Sequence, residues 1–138
     1  MKKNSVELKN KVDKSLLRLK SSLSSVSLLS LPTEQSLDKE LVEWDAFSSR
    51  FSRCVDIFLT KYIRSRVLEG DPAFRGTLRD FLDQAEKMLL ISNIDRWMLI
   101  RELRNYEAHE YGEEMLQKFL TTLKNEASFV IAEIERIK

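Results

Sequence analysis

Apolar side chains recur along the chain at intervals of three and four residues, the spacing of one face of an α-helix. The first such stripe consists of Leu8, Val12, Leu16, Leu19, Leu23 and Val26. The pair Leu31-Pro32 ends the helix that this stripe predicts. A second stripe extends from Leu37 to Val67 and predicts a helix of about 30 residues, roughly 45 Å long at the usual rise.

Glycine and proline mark the end of the second predicted helix. The run Gly70-Asp71-Pro72 suits a helix end, because glycine is common just after the last turn and proline cannot continue it. Thr77 is followed three residues later by Asp80, which is typical of a capping box at a helix start. This pair predicts a short third helix that extends through Leu90.

Two more helices are predicted towards the carboxyl end. Ser92 and Asp95 repeat the capping-box spacing and predict a fourth helix from about Ile94, which Gly112 then ends or bends. A fifth helix starts at Glu113, where acidic residues favour a helix amino end. Its predicted apolar face consists of Met115, Phe119, Leu123, Ala127, Val130, Ile134 and Ile137.

These elements predict an all-α fold. The chain has 138 residues, a suitable length for one domain, and only 3 Gly and 2 Pro, too few for the many turns of an all-β fold. We therefore expect a single helical domain over residues 1–138, an antiparallel four-helix bundle with an additional short helix. The second helix is longer than its neighbours need, so its surplus apolar surface is either core or a dimer face.

The composition excludes several kinds of site. With one histidine, His109, and one cysteine, Cys54, a protomer cannot form a zinc site of the His/Cys kind or an internal disulfide. No G-x-S-x-G context or Gly-rich phosphate loop is present. Acid–base chemistry must therefore use His109 or carboxylates. Cys54 lies among apolar residues, so we expect it in the core, and a lone cysteine fits the reducing cytoplasm. No stretch predicts a membrane span or a signal peptide.

The charge is balanced, with 23 Lys+Arg against 22 Asp+Glu. Bulk charge therefore does not predict nucleic-acid binding, and any RNA contact must come from a local patch. Basic residues are concentrated near the amino end, and we favour a solvated helix face over a dedicated RNA-binding arm there. They are Lys2, Lys3, Lys9, Lys11, Lys14, Arg18 and Lys20.

The segment from Arg101 to Tyr111 is polar on several helix faces at once. Its sequence Arg104-Asn105-x-x-x-His109-x-Tyr111 resembles the R-x-x-x-x-H-x-Y motif of HepT-type toxins in the HEPN superfamily. The motif covers eight residues, and the helix order and chain length extend the resemblance over the whole chain. The resemblance implies a helical-bundle toxin that is an endoribonuclease acting on tRNA or mRNA, without a cofactor.

The residue types in this motif suit RNA cleavage without a metal. Histidine exchanges protons near neutral pH, so His109 is the candidate acid and base. Arginine offers planar, bidentate donors to phosphate oxygens, so Arg104 is the candidate phosphate clamp. Asn105 and Arg101 are candidates for further phosphate contact. The expected product is a 2′,3′-cyclic phosphate. The resemblance also implies that a partner nucleotidyltransferase, the antitoxin, silences the enzyme by AMPylation of Tyr111.

The spacing of the motif constrains the site. Arg104 and His109 are five residues apart, about 140° around a straight helix. Either the helix bends near His109, as Gly112 would permit, or the site is composite. HEPN proteins dimerise and bring two copies of the motif to one cleft, so the resemblance implies a homodimer.

Two other interpretations of the sequence remain open. Some HEPN-like bundles are non-catalytic subunits that bind a nucleotidyltransferase, and these generally lack the arginine and histidine that are present here as Arg104 and His109. The second alternative is that the chain is a plain helical scaffold. This interpretation is favoured only if the side chains of Arg104 and His109 point into solvent, away from a dimer cleft.

Overall fold

The computed structural model describes residues 1–103 and 112–137, which are helical and contain no strand. The all-α prediction is therefore confirmed for this part of the chain. The elements are α1 (Lys3–Ser27), α2 (Asp38–Asp56), a π-helical segment (Ile57–Ile63), α3 (Arg64–Gly70), α4 (Leu78–Lys87), α5 (Ile94–Leu103) and α6 (Glu113–Glu135).

Helix α1 follows the first apolar stripe, with Val12, Leu16, Leu19 and Val26 all buried. It packs antiparallel to the second helical stretch. The backbone amide of Lys2 donates to the carboxylate of Glu69 at 3.0 Å, whereas Arg50 donates to the hydroxyl of Ser22 at 2.8 Å. The amino end of α1 therefore lies beside α3, and its later turns lie beside α2.

The second helical stretch runs without a break from residue 38 to residue 70, which confirms a long helix ending at Gly70. The sequence did not predict that residues 57–63 are π-helical. A π turn holds an extra residue, because its hydrogen bonds run from i to i+5. Within this segment the side chains of Phe58, Leu59, Tyr62 and Ile63 are all buried. The π geometry thus turns two adjacent pairs of apolar residues into the core.

Helix α4 begins as predicted but ends early. The amide of Asp80 donates to the hydroxyl of Thr77 at 3.2 Å, and the Asp80 carboxylate accepts from the Thr77 amide at 2.8 Å, so the predicted capping box is confirmed. The predicted end at Leu90 is wrong, because α4 ends at Lys87. Leu89 has φ +62°, the left-handed conformation that closes many helices, and Leu90 donates back to the carbonyl of residue 85 at 3.0 Å.

Helix α5 begins at Ile94, where the sequence placed it, but a different residue caps it. The side-chain oxygen of Asn93 accepts from the amide of Arg96 at 3.3 Å, and Asn93 has φ +56°. Asparagine tolerates this left-handed conformation better than most residues. The predicted capping box of Ser92 and Asp95 is therefore wrong.

Helix α6 begins at Glu113, as predicted, directly after Gly112 with φ +48°. Most of its predicted apolar face is buried, including Phe119, Leu123 and Ile134. The two ends of the predicted face differ, since Met115 has 46% of its surface exposed and Ile137 is half-buried and lies beyond the end of α6. The predicted course of the fourth helix between Leu103 and Gly112 lies outside the described residues.

The buried apolar side chains of the described residues form one connected core. Cys54 belongs to it, which confirms the expected packing role, and burial raises the pKa of its thiol to about 11 against a smaller opposite effect of Ser15. Across residues 1–103 and 112–137, no helix combines the length and the apolar character needed to cross a bilayer.

Candidate functional site

Four of the five predicted site residues lie outside the described part of the chain: Arg104, Asn105, His109 and Tyr111. The fifth, Arg101, lies in the last turn of α5. The structure therefore describes the helix that precedes the motif, and among the predicted site residues it shows the surroundings of Arg101.

Arg101 is half-buried, and its guanidinium has an unusual feature. Its Nε atom is buried and has no hydrogen-bond partner among residues 1–103 and 112–137. An unsatisfied buried donor costs about 1–3 kcal/mol, more when the group is charged. Such a group is a natural place for an acceptor from a ligand or water.

Arg101 also lines a small cavity of about 120 Å³, which we call the arginine cavity. Its other lining residues are Leu59, Thr60, Arg64, Gly76, Leu78 and Phe81. No acidic residue is among these described residues. Two guanidinium groups in a partly apolar setting favour an anion such as a phosphate group.

Aromatic packing holds the second arginine of this cavity in place. The Arg64 guanidinium carbon lies 5.0 Å from the ring centroid of Phe81, within the range of a cation–π contact. Phe81 is itself fixed by Phe74, with ring centroids 4.9 Å apart and the planes 74° from parallel. Arg64 is therefore restrained before any ligand arrives.

The π-helical segment contributes Leu59 and Thr60 to the cavity. The Thr60 hydroxyl donates to the backbone carbonyl of Asp56 at 2.7 Å, a bond to the preceding turn. Single π turns are rare and occur frequently at functional sites. Sequence reasoning missed Thr60 and Arg64, since neither belongs to a recognisable motif and both precede Arg101 by more than thirty residues.

A buried carboxylate fixes the amino end of α5, the helix that leads into the motif. The Oε1 atom of Glu133 accepts from the Ser92 amide at 2.8 Å and the Ser92 hydroxyl at 2.9 Å. It also accepts from the indole nitrogen of Trp97 at 3.4 Å. Arg136 donates to Oε2 at 3.1 Å. Glu133 was not predictable from the sequence, because an isolated glutamate on a helix carries no signal of burial.

These contacts determine the ionisation of Glu133. Burial by itself would raise the pKa of this carboxyl group. The hydrogen bonds from Ser92 and Trp97, together with the charge of Arg136, lower the pKa below its ordinary value of 4.5 overall. Folding therefore favours the ionised form.

We expect Glu133→Gln to lower the free energy of unfolding by about 1 kcal/mol at neutral pH, because its hydrogen bonds lose their charge-assisted strength. The contribution of the native carboxylate is fully present above pH 4.5, the ordinary value, and is lost as the pH falls through the lower folded-state pKa. Urea unfolding of both proteins along a pH series measures this difference. Glu135→Gln is the control, because Glu135 is exposed and forms a surface ion pair with Lys20. A pH-independent deficit in Glu133→Gln would contradict the assignment.

No protein-family model, curated protein or solved structure matches this chain. The interpretation of the site therefore depends on the chain's own residues and their chemistry.

Proposed function

We propose that this chain is a metal-independent endoribonuclease of the HepT type in the HEPN superfamily, the toxin of a toxin–antitoxin pair. The observation that carries the proposal is the sequence Arg104-Asn105-x-x-x-His109-x-Tyr111, which directly follows the last described residue of α5. It combines the chain's one histidine with an arginine and an asparagine, the groups that acid–base cleavage of a phosphodiester needs.

The reaction begins at a ribose 2′-OH of the RNA. His109 accepts the proton of this hydroxyl, and the 2′-oxygen attacks the adjacent phosphorus. The bond from phosphorus to the 5′-oxygen breaks, and the leaving oxygen takes up a proton from a histidine of the site. The products are a 2′,3′-cyclic phosphate and a 5′-hydroxyl. Arg104 stabilises the charge that develops on the phosphate oxygens, and Asn105 orients the same group.

Arg101 extends the phosphate contact along the RNA. It precedes Arg104 by three residues. Its buried Nε has no hydrogen-bond partner in the described part of the chain, and together with the neighbouring Arg64 it makes the arginine cavity suited to a phosphate group. This arrangement supports a substrate that is held at more than one phosphate. The partial apolar lining strengthens such charge-assisted bonds, because it lowers the local dielectric.

We further propose an antiparallel four-helix bundle, a single domain over residues 1–138, in which α4 is the additional short helix. Two pairs of contacts support this arrangement. Helix α1 packs antiparallel to the stretch from α2 to α3, and α5 packs antiparallel to α6 through Ser92–Glu133 and Arg96–Glu126. The lone Cys54 favours a cytoplasmic location.

The proposal includes two partners besides RNA. A homodimer would bring a second His109 to the cleft, which suits the separation of Arg104 and His109 around a helix. A cognate nucleotidyltransferase would AMPylate Tyr111, adding negative charge that repels RNA phosphates. Native mass spectrometry of the chain produced with and without a candidate minimal nucleotidyltransferase reports both properties. A monomer that never gains an adenylate would exclude both partners.

Incubation of the purified chain with labelled single-stranded RNA should yield fragments that end in a 2′,3′-cyclic phosphate, also in the presence of a chelator. A strand with 2′-O-methyl groups at every position should stay intact, because the attacking hydroxyl is blocked. Mass spectrometry of the products identifies the termini.

Fragments with a 3′-hydroxyl end, or cleavage of the methylated strand, would exclude this mechanism. If total RNA and all defined strands stay intact, the alternative of a non-catalytic HEPN-like subunit that binds a nucleotidyltransferase replaces the ribonuclease proposal.

A further inference from the structure

A second cationic concavity lies between α1 and the middle of the long helical stretch. It has a volume of about 230 Å³, and we call it the basic cleft. Five of its lining residues are cationic, and none of the described residues that line it is acidic. The lining consists of Lys11, Lys14, Ser15, Arg18, Arg53, Ile57 and Lys61.

The fold, and not the sequence order, brings these charges together. Lys11, Lys14 and Arg18 are spaced by three and four residues and share one face of α1. Arg53 in α2 and Lys61 in the π-helical segment face them across the cleft. The cations of two antiparallel helices therefore converge on one site.

These five cations are not neutralised by the part of the chain that the structure describes. None of them forms a salt bridge with a residue of 1–103 or 112–137. Two other lysines of α1 do form ion pairs: Lys9 pairs with Asp13 at 2.6 Å and Lys20 pairs with Glu135 at 3.3 Å. For a chain with a net charge of +1, this is a strong local concentration of positive charge.

The residues that line the cleft do not suit a typical protein partner. Ile57 is its one apolar residue among those described, and it is half-buried. Protein interfaces usually have an apolar, charge-depleted centre with a polar rim, and here the centre is cationic. A regular polyanion fits this lining better, because each Lys or Arg can neutralise one phosphate.

We propose that the basic cleft binds the sugar–phosphate backbone of single-stranded RNA, apart from the cleavage motif. The proposal rests on the ribonuclease function, which defines RNA as the ligand. The π-helical segment contributes Lys61 to the basic cleft and Thr60 to the arginine cavity, and Arg64 follows it directly. One strand can therefore pass from the basic cleft over this segment to the arginine cavity, which Arg101 lines.

The test measures binding of a fluorescein-labelled, fully 2′-O-methylated single strand, which the proposed chemistry cannot cleave. Fluorescence anisotropy gives the dissociation constant over a series of KCl concentrations for the full-length chain. The cleft variant combines Lys11→Gln, Arg18→Gln and Lys61→Gln. The control variant combines Lys39→Gln, Arg75→Gln and Lys87→Gln, which removes the same charge from exposed residues outside the cleft.

The cleft variant should bind at least tenfold more weakly at low salt. Its plot of log affinity against log salt should be shallower by about 2, because each phosphate neutralised on a single strand contributes a slope of about 0.7. The control variant should keep nearly the native slope. Circular dichroism during thermal unfolding checks that both variants fold, which we expect because all six substituted residues are exposed.

Equal losses in the two variants would show binding by bulk charge and would overturn the proposal. It is also overturned if the cleft variant keeps RNA binding but loses binding of polyglutamate, which identifies an acidic polypeptide as the ligand. The ribonuclease proposal can fail separately. If the native protein binds RNA through the basic cleft but cleaves no unmodified RNA, the ribonuclease proposal is wrong and RNA binding by the cleft still holds. If the cleft variant binds and cleaves RNA as the native protein does, the proposal that the cleft binds RNA is wrong and the ribonuclease proposal still holds.

Discussion

Replacing His109 with alanine should abolish growth arrest of a bacterial host and slow RNA cleavage by about 10²–10⁴-fold, the range for loss of a general acid or base. His109 is the one side chain in the sequence whose ordinary pKa suits proton transfer in both directions near neutrality. The measurement is growth after induction at matched protein level, together with cleavage rates of the purified proteins over a pH series. The native rate should change with pH through the range of an imidazole pKa, and the variant should lose that dependence.

Two further substitutions separate chemistry from general disturbance of the segment. Arg104→Lys keeps the charge but loses the bidentate geometry, so it should retain part of the activity. Glu107→Ala is the control within the same segment, since Glu107 occupies one of the unspecified positions between Asn105 and His109, and it should cleave at nearly the native rate. If His109→Ala cleaves as fast as the native chain, His109 has no part in proton transfer and the mechanism fails.

Replacing Trp97 with alanine should lower the free energy of unfolding by about 3–5 kcal/mol, the range for a large buried aromatic side chain. Trp97 is fully buried, with its ring 5.2 Å from that of Phe58 and 5.5 Å from that of Phe129. Its indole also donates to Glu133 at 3.4 Å. The substitution therefore opens a cavity and removes one of the donors that keep Glu133 ionised.

Urea unfolding measures this effect against a control on the same helix. Leu99 in α5 has 69% of its surface exposed, so Leu99→Ala should change stability by no more than about 0.5 kcal/mol. Trp97→Phe keeps an aromatic ring and should fall between the two, which provides a foldable variant if Trp97→Ala does not fold. Similar losses for Trp97→Ala and Leu99→Ala would contradict the central position of Trp97 in the core.

Helix positions were predictable because they depend on local spacing. Val12, Leu16 and Leu19 recur on one face, and the structure buries them together. The capping box of Thr77 and Asp80 was equally local, since both partners lie within one turn. Signals of this kind need no knowledge of the rest of the chain.

Features that depend on packing between distant residues were missed. Residues 57–63 form a continuous apolar-rich run that suits α and π geometry alike, so spacing alone could not predict the π turn. Ser92 looked like a helix cap, but Glu133, far along the chain, accepts its hydrogen bonds, and Asn93 caps α5 instead. A residue distant in the sequence, Glu133, therefore determined which hydrogen bonds Ser92 forms.

The candidate site residues also divide into those predictable from local spacing and those brought together only by folding. Arg101 was predicted because it flanks the motif, and its role in phosphate contact stays a prediction, now with a cavity beside it. Lys11, Lys14 and Arg18 are exposed, as expected of a solvated helix face. Arg53 and Lys61 join them only in the folded chain, and no spacing rule relates positions so far apart.

The π turn lets the long helical stretch hold one residue more than an α-helix would, with little change in the direction that later side chains face. Each residue advances a regular helix by about 100°. Deleting one residue between 57 and 63 should therefore restore ordinary winding and leave Arg64 and Val67 near their present faces. The same deletion in the regular α2 would rotate everything downstream by about 100°. The π-helical segment is thus the place in this stretch where the chain tolerates a change of length by one residue without turning its second half.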